Sequence, residues 1–114
     1  MDHMKFAEKF IGQFCIVRLR DAGIHAGIVI GIEDGLVILK NSRRIYRWEG
    51  PTTLSELAYV GPRADSLVAR ELRSHLLRDW CEIIPATLEC EEAFAACAWD
   101  GPGSTGGGEQ RVEL

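Results

Sequence analysis

The dipeptide Asp34-Gly35 constrains the fold of this chain more than any other feature, because it lies between two apolar segments. HAGIVIGIE occupies residues 25–33, and LVILKN occupies residues 36–41. Asp-Gly is a preferred pair for the two-residue turn of a β-hairpin, since both turn positions have positive φ. The two segments are therefore predicted to be antiparallel neighbours in a sheet.

Two more strands are predicted next to this hairpin. FCIVRLR at 14–20 is rich in β-branched and aromatic residues, and a turn at 21–23 joins it to the hairpin. Residues 43–48 are predicted to form a fourth strand. Gly27 and Gly31 lie inside the second strand, where glycine indicates a bend or a close approach of two backbones. A strongly bent sheet follows from this pattern.

Two short helices are predicted from their capping residues. Thr53 is followed by Glu56, which is the spacing of a capping box, and Gly61-Pro62 ends that helix. Thr87 is predicted to cap a last helix, LECEEAFAACAW, whose early glutamates suit the helix dipole. The inward-facing residues of this last helix are expected to be Leu88, Cys90, Phe94, Cys97 and Trp99.

The segment between the helices allows two interpretations. Residues 63–80 have the charge and length of a helix, but they can also form a loop that leads into a strand near 74–78. We favour the loop followed by a strand. CEIIP at 81–85 is predicted to be a buried strand that ends at Pro85.

The predicted fold class is α+β: a small, strongly bent antiparallel sheet of about five strands, forming an SH3/Sm-like half-barrel, with two short helices. Residues 1–100 are expected to be a single ligand-binding domain. Residues 101–114 begin with GPGSTGGG and are expected to be a flexible glycine-rich tail.

Charge is divided unevenly along the chain, whose formal net charge is -4. Residues 1–48 carry eight Lys/Arg and five Asp/Glu, whereas residues 49–114 carry five and twelve. The front half can therefore attract a small anion, and the back half disfavours long nucleic acid. With no run of 18 apolar residues and no secretory signal at the start, a cytoplasmic protein without membrane contact is expected.

Motifs for catalysis or metal binding do not occur in the sequence. It contains no G-x-S-x-G elbow, no phosphate-binding G-x-x-x-x-G-K-[ST] loop and no C-x-x-C pair. Cys15, Cys81, Cys90 and Cys97 are expected to be buried, reduced thiols. We therefore expect no catalytic residues, no metal and no cofactor, and hence no enzyme.

The stretch NSRRIYRWEG at 41–50 is the best candidate for ligand binding. Strand alternation predicts Arg44, Tyr46 and Trp48 on one face, with Arg43, Ile45 and Arg47 on the other. A guanidinium matches phosphate, and an aromatic ring can stack on a base. Arg18 and Arg20 on the first strand can add charge. The alternative interpretation is structural, with Tyr46 and Trp48 in the core beside an extended Arg44.

Three functions are compatible with these residues taken alone. The first is a binding protein for a small anionic nucleotide, which needs only two or three arginines. The second is an Sm-like module that binds single-stranded RNA, suggested by the glycine-bent strands. The third is a structural interaction domain.

The sequence also resembles a family of small phage-encoded proteins over residues 11 to 86. The resemblance rests on the R-R-I-x-x-W-x-G spacing, the L-S-x-L-A motif and the E-I-I-P strand. The matching residues are Ile11-Gly12, Val17-Arg18, Ala22-Gly23, Gly27, Leu39, Arg43-Arg44-Ile45, Trp48, Gly50, Leu54-Ser55-Glu56-Leu57-Ala58 and Glu82-Ile83-Ile84-Pro85. One departure is Arg47, where members of the family usually carry an aromatic residue.

This family is similar to the first class of Thoeris anti-defence proteins, which act as molecular sponges. The resemblance implies that the chain sequesters a cyclic ADP-ribose isomer, or a cyclic oligonucleotide of CBASS defence, without cleaving it. It also implies a homo-oligomer, a dimer or hexamer, with ligand sites at subunit interfaces in the host cell cytoplasm. The ligand-binding residues expected on this basis are Arg43, Arg44, Tyr46, Trp48 and Arg18.

Overall fold

The computed structural model describes residues 4–98 and confirms an α+β fold built on an antiparallel sheet. The described chain begins with a short helix, α1, and a 3-10 turn at Glu8–Phe10, and two further helices pack on the sheet. The helices are α1 (Met4–Ala7), α2 (Leu54–Val60) and α3 (Leu88–Ala95). The strands are β1 (Phe14–Leu19), β2 (Ile24–Glu33), β3 (Leu36–Arg47), β4 (Leu67–Val68), β5 (Leu72–Arg78) and β6 (Trp80–Pro85).

The order of the strands in the sheet is β4-β3-β2-β1-β6, and β5 also pairs with β3. Every pair of strands is antiparallel. The β2–β3 hairpin turns at 34–35 as predicted, although of the two turn residues only Gly35 has a positive φ, of 77°. Only Asp79, at a φ of 63°, separates β5 from β6, yet β5 pairs with β3 and β6 with β1. The segment 72–85 therefore pairs with β3 and then with β1, the two strands that flank β2.

The prediction of separate strands at 36–41 and 43–48 is wrong, because β3 is one continuous strand that ends at Arg47. A bulge lies at the predicted break. Ala26 pairs with Arg43 and Ile28 with Lys40, so two residues of β3 face Gly27 alone. Asn41 within the bulge has a φ of 54°, which asparagine tolerates better than most residues.

Gly27 allows the bulge to approach β2 closely. A Cβ atom at this position would lie 3.0 Å from both Cα and Cβ of Ser42. Any larger residue would push the two strands apart, so the glycine marks a close backbone approach, as predicted for this position.

Each face of the sheet has its own apolar core. The helix face packs against α2 and α3. Its buried residues are Ile16, Ala26, Ile45, Leu57, Ala58, Val68, Cys90, Phe94 and Cys97. The opposite face has a second cluster, whose buried residues are Cys15, Val17, Leu19, Val29, Val37, Leu39 and Leu77. A residue's position on one face or the other therefore decides whether it contacts the helices.

Both predicted helix caps are confirmed. The Thr53 side chain accepts a hydrogen bond from the backbone N–H of Glu56, and Thr87 accepts one from Cys90. Gly61 follows α2 with a φ of 82°, and its backbone N–H donates to Leu57 O. These caps fix where the two helices start on the helix face.

The last helix is shorter than predicted, because it ends at Ala95. Cys90, Phe94 and Cys97 are buried as expected. Leu88 was expected to face inward, but it is 68% exposed at the first helical position, where the helix has not yet reached the core. Trp99 and the predicted tail at 101–114 lie outside the described residues.

Residues 63–80 follow the loop-then-strand interpretation. The short strand β4 pairs with β3, and β5 starts at Leu72, two residues before the predicted strand. The strand predicted at 81–85 begins one residue earlier, at Trp80. Among the described helices, none is long and apolar enough to cross a membrane.

Candidate anion-binding site

Arg43 points towards the helix face and is bound by backbone oxygens. Its Nε donates to Ala69 O at 2.7 Å, and its Nη1 donates to Phe94 O at 2.6 Å. A longer bond of 3.5 Å joins Nη2 to Val68 O. Burial lowers the pKa of Arg43, although a guanidinium stays charged at neutral pH. This arginine connects β3, β4 and the end of α3.

Arg44 points to the opposite face and has fewer protein partners. Its Nη2 donates to Ala22 O at 2.6 Å, in the turn between β1 and β2. Its Nε is buried and has no hydrogen-bond partner. Its Cζ lies 6.0 Å from the centre of the Tyr46 ring, at the outer range of a cation–π contact. Arg44 therefore keeps an unpaired donor beside an aromatic ring.

The other three predicted site residues do not all join Arg44. Tyr46 is 55% exposed and lies beside Arg44, as alternation predicts. Trp48 packs against the cluster of the helix face, where its Nε1 donates to Pro51 O at 2.8 Å. Because β3 ends at Arg47 and its register with β4 shifts after Ile45, alternation no longer places Trp48 with Arg44.

Arg18 also lies apart from Arg44. It pairs with Ile24 in β2, which in turn pairs with Ile45 in β3, so Arg18 is on the helix-face side of the sheet. Its Nε donates to Glu82 at 2.9 Å in a surface ion pair. Of the predicted set Arg44, Tyr46 and Trp48, the structure therefore keeps Arg44 and Tyr46 together on one face. Arg18 does not add its charge beside them, because β2 separates β1 from β3.

Three polar residues lie on the opposite face with Arg44, and we call the group of four the polar centre. It consists of His25, Ser42, Arg44 and His75. Each has a buried side-chain nitrogen or oxygen without a hydrogen-bond partner, and together they account for four of the five such atoms among the described residues. Buried polar atoms are nearly always paired in folded proteins, so this concentration indicates a place for water, an ion or a ligand.

The pairing of the strands brings these four residues together. His25 lies directly opposite Arg44, and His75 lies opposite Leu39, which belongs to the core of the opposite face. Residues that face each other across paired strands share a face of the sheet. The rings of His25 and His75 meet edge to face with their centres 5.1 Å apart.

His25 is fully buried, and its protonation state follows from its partner. Its Nε2 lies 2.9 Å from Ala22 O. A carbonyl can only accept, so Nε2 carries the proton and Nδ1 is a bare acceptor. Desolvation, with a smaller contribution from Arg44 and His75, lowers the pKa of His25 to about 4. The ring is therefore neutral at pH 7.

His75 lies nearer the surface and is only partly buried. Desolvation lowers its pKa, and the charge of Arg44 lowers it further. The polar centre thus contains one fixed positive charge and two rings held neutral at pH 7. Such a site offers a ligand both hydrogen-bond donors and acceptors, and its one full positive charge is that of Arg44.

Sequence reasoning missed His25, Ser42 and His75. The available signal was the Asp34-Gly35 turn, which predicts that strand two pairs with the strand containing Arg44. Counting back from that turn places His25 opposite Arg44, because the two register shifts within the hairpin cancel. His75 comes from a strand whose partner could not be predicted at all.

The three buried thiols lack the lowered pKa of a nucleophile. Burial raises the pKa of Cys15 to about 11 and, assisted by Glu91 and Glu89, that of Cys90 to about 12. Burial also raises the pKa of Cys97. Cys81 is exposed, so the expectation of buried thiols fails for this one. Within residues 4–98, no three His, Cys, Asp or Glu side chains converge to hold a metal ion.

Comparison with known proteins gives one match. No curated protein and no solved structure is similar to this chain. One family model, described as "Domain of unknown function (DUF6948)", matches residues 12–94. The matched segment contains all six strands, both capped helices up to Phe94, and every residue of the polar centre. The chain therefore belongs to the DUF6948 family.

Proposed function

We propose that this protein is a phage anti-defence sponge that binds a small anionic nucleotide and holds it intact. The proposed ligand is a cyclic ADP-ribose isomer, with CBASS cyclic oligonucleotides as a related possibility, as the resemblance to Thoeris anti-defence proteins implies. The observation that carries the proposal is the buried, unpartnered Nε of Arg44 beside an exposed tyrosine. A guanidinium donor and an aromatic face are the groups that recognise phosphate and base.

The roles of the five predicted ligand-binding residues are then unequal. Arg44 and Tyr46 would contact the ligand directly. The guanidinium of Arg43 already binds backbone oxygens on the other face, so we propose a supporting role for Arg43. Trp48 and Arg18 also lie on that other side, and they would reach a ligand only at a contact between subunits.

Sequestration without chemistry agrees with the groups in the polar centre. A general base near neutral pH needs a pKa close to 7, and burial moves His25 well below that value. The raised pKa values of the buried thiols likewise favour binding over covalent attack. We therefore propose a binding protein rather than an enzyme.

We also propose that the sheet curls into an SH3/Sm-like half-barrel and that the protein forms a homo-oligomer. The half-barrel is supported by the segment 72–85, which pairs with β3 and then with β1. The oligomer is supported by an open groove of about 760 Å³, where Ile11 and Leu76 are exposed. Exposed apolar side chains of this kind are typical of subunit contacts.

The proposal is tested by calorimetry with cyclic ADP-ribose isomers, cyclic dinucleotides and a single-stranded RNA. We expect binding to one of the cyclic nucleotides, and recovery of the same molecule after the protein is heat-denatured. Salt-sensitive binding to the RNA alone would instead indicate an Sm-like module. Absence of binding to every cyclic nucleotide at micromolar concentration would refute the sponge.

The site is tested with Arg44→Ala against Arg47→Ala. Loss of a hydrogen bond from a charged group costs about 1.5 to 3 kcal/mol, so Arg44→Ala should weaken binding roughly 10- to 100-fold. Arg47 is 66% exposed and pairs with Glu49 on the surface, so its removal should leave affinity unchanged. Equal affinities for the two variants would remove Arg44 from the site.

A further inference from the structure

We propose that His25 and His75 complete the phosphate-binding site around Arg44, and that His75 takes up a proton when the phosphate enters. This inference rests on the proposed nucleotide function and adds a ligand chemistry to it. The ligand group is a phosphate anion with a hydroxyl close by, as in a ribosyl phosphate. Neither histidine is needed by the function argued above.

The hydrogen-bonding capacity of the polar centre supports this chemistry. Arg44 Nε is a donor, and His25 Nδ1 is an acceptor because the other ring nitrogen of His25 faces Ala22 O. Ser42 is fully buried, and its hydroxyl can donate or accept. A phosphate alone would satisfy the donors only. A hydroxyl on the ligand is needed to satisfy the acceptor at His25.

His75 is the residue placed to change its charge. Its Nδ1 is buried without a partner, and its ring meets that of His25 at 5.1 Å. Unlike His25, it is not held in one tautomer by a backbone oxygen in any described contact. A proton from solvent can therefore add to His75, and the resulting N–H can donate to a phosphate oxygen.

The surroundings of His75 explain why the proton is absent before the ligand arrives. Desolvation of the partly buried ring is the larger cause of its lowered pKa, and from β3 the positive charge of Arg44 adds to it. Lys40 lies opposite the adjacent Ser74. From β2, the facing group is the neutral His25. Along β5 itself the nearest charged residues are Arg73 and Arg78, and Arg78 is paired with Asp79 on the surface. An incoming anion reverses this balance, because it neutralises Arg44 and favours the imidazolium.

The expected consequence is coupling between binding and pH. Uptake of one proton per ligand strengthens binding up to about tenfold for each pH unit lowered, between the bound and free pKa values of His75. Below the free pKa the dependence should disappear, because His75 is then protonated in both states.

Calorimetry with cyclic ADP-ribose in PIPES and in Tris at the same pH measures this uptake directly. The two buffers release their protons with different heats, so proton uptake makes the observed enthalpy depend on the buffer. We expect that dependence in the native protein and in Arg78→Gln, a control on the same strand whose side chain is 81% exposed. In His75→Gln the observed enthalpy should no longer depend on the buffer, and the affinity for cyclic ADP-ribose should be several-fold weaker.

A second measurement follows the histidine rings by NMR in a His3→Gln background, with and without inorganic pyrophosphate. We expect pyrophosphate to raise the pKa of His75 by one unit or more.

The two experiments separate this inference from the proposed function. If cyclic ADP-ribose binds with equal heats in both buffers, proton uptake by His75 is refuted, but the proposed sponge function is not. No binding of cyclic ADP-ribose together with an unmoved His75 would overturn both. A raised pKa without nucleotide binding would keep the phosphate site and reject the nucleotide.

Discussion

Arg43 and Arg44 are adjacent in the sequence, yet they point to opposite faces of one strand and have different surroundings. The guanidinium of Arg43 donates to three backbone oxygens between β4 and α3. The guanidinium of Arg44 donates to one backbone oxygen and keeps a buried Nε unpaired. The same type of side chain is therefore fully engaged by the backbone on one face and keeps a buried donor unpaired on the other.

The two faces differ in the same way as these arginines. On the helix face, the partly buried guanidinium of Arg43 is paired with backbone oxygens, and the helices above it start at well-defined caps. The opposite face buries His25 and Ser42 with unsatisfied polar atoms. Such atoms each cost about 1 to 3 kcal/mol, so a protein that retains several of them on one face is expected to use them.

Gly61→Ala should give the largest loss of stability, because it acts where the two helices meet on the helix face. A Cβ there would lie 2.4 Å from Ala93 Cβ and 3.0 Å from Cys90 Cα, at a positive φ. Overpacking and backbone strain together predict a loss of about 4 kcal/mol in chemical denaturation.

Gly35→Ala is the matched control for this prediction. Gly35 also has a positive φ, but a Cβ would meet no atom within 4 Å. The backbone conformation alone should cost about 1 kcal/mol. Similar losses at both positions would show that α2 and α3 are not tightly packed.

Arg43→Ala tests the structural half of the comparison. Removing the guanidinium leaves the oxygens of Ala69 and Phe94 without their short charged bonds, at a cost of about 3 kcal/mol. Nucleotide affinity should fall little in the variant that remains folded. Arg47→Ala should change stability by less than about 0.5 kcal/mol, as is typical of surface ion pairs. An unchanged denaturation midpoint for Arg43→Ala would reverse the assignment of the two arginines.

Acid should destabilise the protein through His25 on the opposite face. Its pKa is about 4 in the folded state and 6.5 ordinarily, so the unfolded chain binds more protons between these values. Stability is therefore fully present above about pH 6.5 and falls as the pH drops towards 4. Linkage predicts a loss of about 2 kcal/mol between pH 7 and pH 5.

His25→Gln removes this titration and should flatten the stability profile between pH 6.5 and 4. Part of the slope should remain, because the lowered pKa of His75 acts with the same sign. Denaturation midpoints measured at pH 7, 6 and 5 distinguish the two contributions. If the stability of the native protein does not change with pH over this range, the pKa of His25 is not lowered in the folded state.

The contrast between the faces also explains which features the sequence could predict. The caps at Thr53 and Thr87 and the turn at Gly35 depend on neighbours within a few residues, so local rules predict them. The alternation of Arg44 and Ile45 is local as well. Trp48 was misplaced because alternation stops where β3 ends, a limit that β4 sets from twenty residues away.

The complete polar centre could not be predicted for a related reason. His25 can be placed opposite Arg44 by counting from the turn, but His75 needs the pairing of β5 with β3 from more than thirty residues away. Asn41 appears in the sequence as an ordinary strand end, and only the pairing of Lys40 and Arg43 with β2 shows that the strand continues through it. Long-range pairing, not local preference, assembles this site.

Ser42→Ala should give the smallest effect, with a sign opposite to that of the other substitutions. The hydroxyl is buried without a partner, and alanine keeps the Cβ that packs against Gly27. Removing an unsatisfied buried hydroxyl should raise stability by about 0.5 to 1 kcal/mol.

Thr53→Ala is the control, because it removes a hydroxyl that caps α2 and should lower stability by about 1 kcal/mol. If Ser42→Ala instead lowered stability as much as Thr53→Ala, the hydroxyl of Ser42 would have a hydrogen-bond partner in solution, and the polar centre would stabilise the fold. Weaker nucleotide binding in a more stable Ser42→Ala protein is the result we expect, because a site kept for a ligand lowers the stability of the free protein.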